Sequence, residues 1–242
     1  MRINIVKKYL YCLMILLSIS LLNYVTPSIA QNKEKNMLSA SQQAIVPIAA
    51  FTANGDIDHL KQALNSGLDA GLTINEIKEV LVQAYAYAGF PRSLNGLTAF
   101  MDVLEQRKEA GQIDEIGKDA SPITTKRSML DIGSDIQTEV VGQPVKGKLY
   151  DFAPTIDQFL KSHLFGDIFA RDILDYQTRE VATIAMLASI SGLEKQLQGH
   201  ITIGLNTGLS EKQVEQIITI LQEKVGKDIG DNAQNVMKHI IK

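Results

Sequence analysis

TREVATIAMLASISGLEKQLQGHITIGLNTGLSEKQVEQI, residues 178–217, reads as three helices punctuated by two glycines. Thr178 is placed to cap the first, Gly192 and Gly208 end the first and second, and Ser210 caps the third. Val214, Ile217, Ile218 and Leu221 then recur at helical spacing and make one apolar face. Two side chains in this stretch carry chemistry, Glu180 and His200. On an antiparallel hairpin turning at Gly192, Glu180 lies 12 residues before the turn and His200 lies 8 after it. At 1.5 Å rise per residue their levels differ by roughly 6 Å, about one helical turn. Contact, direct or through one water, is therefore expected.

The same rhythm occurs earlier in the chain. Placing residues 37–97 over 174–234, a gapless offset of 137, pairs Gly55 with Gly192, Gly67 with Gly204, Gly71 with Gly208 and Gly89 with Gly226. Leu60/Leu197, Leu68/Leu205, Leu72/Leu209 and Asn95/Asn232 match as well. Paired glycines mark paired helix ends and close contacts, so the chain reads as two helical repeats. Repeat one spans 31–108 and repeat two 150–242, joined by a surface linker over 109–149 with local order at Met129 to Ile136. In repeat one Ser41 and Thr73 are the expected caps, and Ile77, Val80, Leu81 and Ala84 form the apolar face. Gly89-Phe90-Pro91 breaks that helix, and Pro91 starts another through Leu104, whose shorter counterpart is Asp231 to Ile241. The fold class is all-α.

The only cysteine is Cys12, inside an N-terminal stretch laid out like a secretory signal peptide. Arg2, Lys7 and Lys8 precede an apolar run, and Ser28-Ile29-Ala30 offers small residues for cleavage at 30. The run is shorter than the roughly 20 residues that span a bilayer. Export to the periplasm or outside, with no membrane attachment after cleavage, is expected. Removal of those three cations takes 24 basic residues to 21 against 27 acids, a net charge of about −6. Nucleic-acid binding, which wants a basic stripe, is not expected. Nor is a metal or nucleotide cofactor, for want of a spaced ligand cluster or a glycine-rich phosphate loop after a strand.

Leu164-Phe165-Gly166, Asp175, Arg179-Glu180 and the alanine-rich helix that follows resemble the carboxymuconolactone decarboxylase family. Ala86-Tyr87-Ala88-Gly89-Phe90-Pro91, with Asn95 behind it, is similar to the family's other hallmark. Here the two are split: repeat one keeps the proline turn, and repeat two keeps the acid and the histidine. The resemblance implies alkyl hydroperoxidase D-like helical repeats, a composite site between repeats or subunits, and a homo-oligomer, with a trimer favoured. The family's thiol branch resembles a Cys-x-x-Cys pair whose second cysteine lies four residues before the histidine. Those places here hold Leu193 and Gln196. Without a thiolate there is no nucleophile to reduce a peroxide, so thiol peroxidase activity is disfavoured.

A carboxylate that orients an imidazole tunes it for proton transfer near neutral pH. His200 is thus the candidate acid/base and Glu180 its partner; the resemblance implies a carboxy-lyase-like reaction on a small carboxylate or lactone. Arg92 and Asn95 follow Pro91 at a helix start, where backbone amides favour anions, and are candidates for binding a substrate carboxylate. Tyr87 and Gln196 are the other candidate substrate contacts. Blander readings stand beside these: Arg179-Glu180 as a solvated pair at a helix start, His200 and Tyr87 as packing residues, Arg92 on a capped surface helix. Repeat one has Gln43 and Ala63 where repeat two has Glu180 and His200, so that copy lacks the pair. His59, aligned with Gln196, and His163 and His239 read first as surface residues. The alternative function is a non-catalytic binding or assembly protein on the same scaffold.

Overall fold

Ser39, two residues before the expected cap, starts the first helix. Its hydroxyl accepts from the Gln42 amide at 3.1 Å while the Gln42 side chain accepts from the Ser39 amide, satisfying two donors that a helix start leaves free. The computed structural model describes residues 36–240, and the helices below belong to one unit beginning at Ser39. The leader reading falls on residues 1–30, outside the described residues.

Repeat one contains α1 (Ala40–Asn54), α2 (Ile57–Asp69), α3 (Ile74–Gln83), the single turn α4 (Tyr85–Ala88) and α5 (Phe90–Glu109). Gly55 closes α1 at φ +82°, a left-handed conformation that explains the glycine. Thr73 caps α3 in a reciprocal box with Glu76, and Ile77, Val80, Leu81 and Ala84 are all buried, as their spacing predicts. Helix α5 outruns its expected end at Leu104 by more than a turn. Arg107, near its end, is buried and donates to Asp69, to Asn65 and doubly to Asp114, which ties down the chain beyond. Further on, Glu115 and Ile116 accept from the backbone amides of Ile74 and Asn75, so this part of the linker is anchored on α3.

After it come α6 (Met129–Val141), the short α7 (Lys148–Phe152) and α8 (Pro154–Phe159), and a π-helix at Leu160–Phe169. Met129 to Val141 is thus a full helix, longer than the local order expected inside a surface linker. Its Ile136 and Val140 pack with Leu164, Phe165, Ile168 and Phe169 of the π-helix into a hydrophobic cluster, against which Tyr85, Tyr87 and Ile203 also rest. The two helices meet backbone to backbone. A Cβ on Gly133 would stand 1.7 Å from the Lys161 carbonyl oxygen, and one on Gly166 would stand 2.5 Å from that of Met129. Glycine alone permits this approach. Gly133→Ala and Gly166→Ala are each expected to cost about 1–3 kcal/mol, seen as a lower urea midpoint. Gly199→Ala, with nothing within 4 Å of the added carbon, should stabilise instead.

The rest of repeat two is α9 (Tyr176–Ala188), α10 (Glu194–Asn206), α11 (Glu211–Lys224) and α12 (Lys227–Met237). Asp175, accepting from the Thr178 amide at 2.8 Å, caps α9, so Thr178 lies inside the helix it was expected to cap. Ser210 caps α11 as expected. Helix α12 begins one turn before Asp231. The equivalent first helices α1 and α9 pack together, and Gln42 Nε2 donates to Thr178 Oγ1 between them at 3.2 Å. The described residues contain no strand, and none of their helices is long and apolar enough to cross a membrane. Two all-helical repeats therefore share one core.

Candidate active site

Glu180 lies in the second turn of α9, where the residues from Arg179 to Ala188 are all buried. Opposite it, α10 comes close because Gly204 has no side chain: a Cβ there would sit 3.0 Å from Leu209 and 3.3 Å from Ile184. One turn before Gly204, His200 reaches across. Its Nδ1 donates to Glu180 Oε2 at 2.8 Å; the imidazole is 14% exposed and the carboxylate 0%. The contact is direct, the closer of the two geometries that the hairpin allowed.

An ionised carboxylate only accepts hydrogen bonds, so the hydrogen of a neutral imidazole resides on Nδ1. That leaves Nε2 with its lone pair as the basic nitrogen. Glu180 Oε1 is buried and has no hydrogen-bond partner among the described residues, an unusual and costly state for a carboxylate oxygen. Tyr87, carried by α4 from the other repeat, meets the imidazole edge-on with centroids 5.4 Å apart. Its hydroxyl lies beside Thr183 without a well-formed hydrogen bond. Burial first, and the Glu180 carboxylate second, push its phenol well above the ordinary tyrosine range, so it stays protonated. An acceptor, a base and a neutral O–H donor thus converge from both repeats, with unused capacity on each.

The solvated-pair reading of Arg179-Glu180 fails, since both are fully buried. Arg179 instead anchors the start of α9. Its guanidinium donates to Glu79 Oε1 at 2.8 Å, Gln83 Oε1 at 2.9 Å and the Arg171 carbonyl at 2.8 Å, and stacks 5.6 Å above Phe169. Gln83 returns two bonds, to the Arg179 carbonyl at 3.0 Å and Thr183 Oγ1 at 2.9 Å, and Arg171 closes on Glu79 at 2.9 Å. Burial pulls the Arg179 guanidinium below its usual pKa, opposed by its bond to Glu79. This latch joins α3 of one repeat to α9 of the other beside Glu180, and the sequence reading missed Glu79, Gln83 and Thr183.

The remaining candidates stand apart. Arg92 is exposed, and its guanidinium covers Gly55 at the end of α1, so the expected carboxylate clamp is not joined to the pair by any described contact. A cation over the carbonyl end of a helix is favourable in its own right. Asn95 is exposed on α5. Gln196 is exposed one turn before His200 on α10. His59 bonds Asp56 at 2.7 Å, His163 bonds Asp167 at 2.6 Å and His239 bonds the Asn235 carbonyl at 2.7 Å, all exposed. Among the described residues no group of three or more His, Cys, Asp or Glu side chains could hold a metal ion.

The model of the carboxymuconolactone decarboxylase family matches this chain twice, over residues 28–102 and 154–228. The chain is also similar to 4-carboxymuconolactone decarboxylase of Acinetobacter baylyi (strain ATCC 33305 / BD413 / ADP1). The two are 25% identical over 114 residues, which is 46% of this chain and 84% of that protein. With both helical repeats matched, the chain belongs to the carboxymuconolactone decarboxylase family.

Proposed function

We propose that the protein is a thiol-independent acid–base enzyme that decarboxylates, or moves a proton on, a small carboxylate or lactone. The observation that carries this is the buried Glu180–His200 hydrogen bond, with Glu180 Oε1 and the Tyr87 hydroxyl both lacking hydrogen-bond partners among the described residues. In a decarboxylation the carbon–carboxylate bond breaks, carbon dioxide leaves and the electron pair remains on carbon. His200 Nε2–H delivers the proton that this carbon needs, and the imidazole regains one from solvent. Glu180 holds the ring and stabilises its charged form. The Tyr87 O–H bonds the substrate oxygen on which negative charge grows. The absence of any cysteine beyond Cys12 rules out a Cys-x-x-Cys mechanism.

The test is a screen of the full chain against small carboxylates and lactones, following carbon dioxide release and ligand-induced thermal shift. Release of carbon dioxide from one of them supports the reading. Binding with no turnover of any bound ligand leaves the scaffold alternative instead. Tyr87→Phe separates chemistry from packing. If the phenol only packs, removing an unsatisfied buried hydroxyl leaves activity intact. The expected result is an unchanged or raised Tm with turnover reduced at least tenfold.

The same reading has the protein exported and self-associated. The leader-like residues 1–30 support export, and N-terminal sequencing of the secreted fraction tests it. Leu149, Phe152, Ile156 and Phe159, all exposed on α7 and α8, support a homo-oligomer. Light scattering tests the trimer, and a monomer at all concentrations would reject it.

A further inference from the structure

The repetition gives the Glu180–His200 site a counterpart built on α1, α2 and α11, and that counterpart is hollow. The offset of 137 carries Glu180 to Gln43, His200 to Ala63, Tyr87 to Lys224 and Gln196 to His59. The structure has a cavity of about 250 Å³ lined by Ala63, His59 and Lys224 together with Ala44, Pro47 and Phe51. These last three are the counterparts of Val181, Ile184 and Ala188 around the acid. The elements correspond as well: Ala63 on α2 matches His200 on α10, and Lys224 at the end of α11 matches Tyr87 on α4. Where one copy fills the space with an imidazole, the other has a methyl group, and the difference is open volume.

The lining chemistry of this cavity is specific. Pro47 and Phe51 are buried, and the ring of Phe51 stacks on that of His59, with centroids 5.3 Å apart and an interplanar angle of 22°. Asp56 engages His59 through Nδ1 at 2.7 Å, fixing the imidazole in that stack. Lys224 is exposed, lines the cavity and forms no ion pair among the described residues, so its ammonium is available on a four-carbon stem. The wall is apolar at Pro47, Phe51 and its alanines, Gln62 and Ser66 add two polar side chains, and the Lys224 cation beside them suits a flat apolar body bearing one negative charge. The volume suits a single ring, since about 150 Å³ accommodates benzene in an apolar cavity.

We propose that this cavity is a second small-molecule site, one that binds a single-ring aromatic or similarly apolar monocarboxylate without turning it over. The ring lies against Pro47, Phe51 and Ala63, and the carboxylate pairs with Lys224. With Gln43 and Ala63 in place of acid and base, no group there performs the proton transfer assigned to His200. The inference is independent of the proposed reaction, because none of its residues belongs to the Glu180–His200 site.

Benzoate is the probe, titrated into the full chain carrying isotope-labelled alanine methyls. Saturable shifts of the Ala44 and Ala63 methyl signals are expected, and Lys224→Gln should weaken the affinity about fivefold, the range of a solvent-exposed ion pair. Benzyl alcohol, the same ring without the charge, should bind more weakly to the unaltered protein and be insensitive to Lys224→Gln. Ala63→Leu fills the cavity and should abolish the Ala44 shift. Lys224 is exposed, so its variant folds and tests the proposal even if Ala63→Leu does not. No saturable shift up to the solubility limit of benzoate overturns the proposal. So does an affinity unchanged in Lys224→Gln, or loss of the Ala44 shift in His200→Ala with its retention in Ala63→Leu, which would put the ligand at the other site.

Discussion

His200→Ala is expected to lower turnover about 10²–10⁴-fold on whichever carboxylate or lactone the full chain converts, the range of a positioned general acid or base. The loss should fall on kcat, because the imidazole acts on the proton in flight and contributes little to holding the substrate. Stability should fall as well, because the substitution strands the Glu180 carboxylate, 0% exposed, without its partner, so kcat is compared at a temperature where the variant remains folded. Glu180→Gln tests the other half of the pair. Glutamine lacks the carboxylate charge that stabilises the imidazolium, and an amide nitrogen donating to Nδ1 leaves a neutral ring whose Nε2–H is a far weaker acid. If Glu180 only fills the interior, Glu180→Gln is a near-isosteric change that removes a buried charge, and turnover survives. Falling turnover with retained or increased stability marks Glu180 as the group that orients His200 and stabilises its charged form. Full activity in both variants would remove the pair from the chemistry.

That pair was legible in the sequence because helix geometry is regular. Residue counts on either side of Gly192 put the two side chains within one turn of each other, and the hydrogen bond forms across α9 and α10. The repeats were legible for the same reason, through glycines at matched helix ends. What escaped was set by long-range packing. Met129–Val141 shows only moderate amphipathicity between charged, glycine-bearing flanks, and its helix is fixed by Gly133 lying against the π-helix some thirty residues later. Arg92 looked like an anion donor because it follows a helix start. Its reach to Gly55 depends on how α5 meets the end of α1, which no local pattern encodes. The caps slipped by two or three residues because Ser39, Ser41, Asp175 and Thr178 are all capable of capping, and only the backbone conformation chooses. A partial signal existed for the latch: Glu79 and Gln83 share one face of α3, four residues apart, with only Val80, Leu81 and Val82 between them.

The latch carries the largest expected effect on stability. Glu79→Ala removes the carboxylate that Arg179 and Arg171 share, leaving a guanidinium with 0% exposure and no compensating charge. Breaking a buried pair from one side costs about 3–5 kcal/mol, because the stranded charge keeps its desolvation penalty. For a chain of this size that corresponds to a fall in Tm of roughly 6–20 °C. The paired substitution Arg179→Met with Glu79→Leu removes both charges and should recover a substantial part of that loss, since apolar replacements of buried ion pairs are often neutral. Recovery would not extend to activity. Arg179 immediately precedes Glu180, and its three bonds hold the start of α9 against α3 and the Arg171 carbonyl. Without them Glu180 is held by the apolar packing of its own helix and its bond from His200, and the acid–base distance loosens. The double variant is therefore expected to be clearly more stable than Glu79→Ala and at least tenfold slower than the unaltered protein. A double variant as unstable as Glu79→Ala would mean that the latch does not act as a charge pair. One as fast as the unaltered protein would mean that α9 holds Glu180 in place without it.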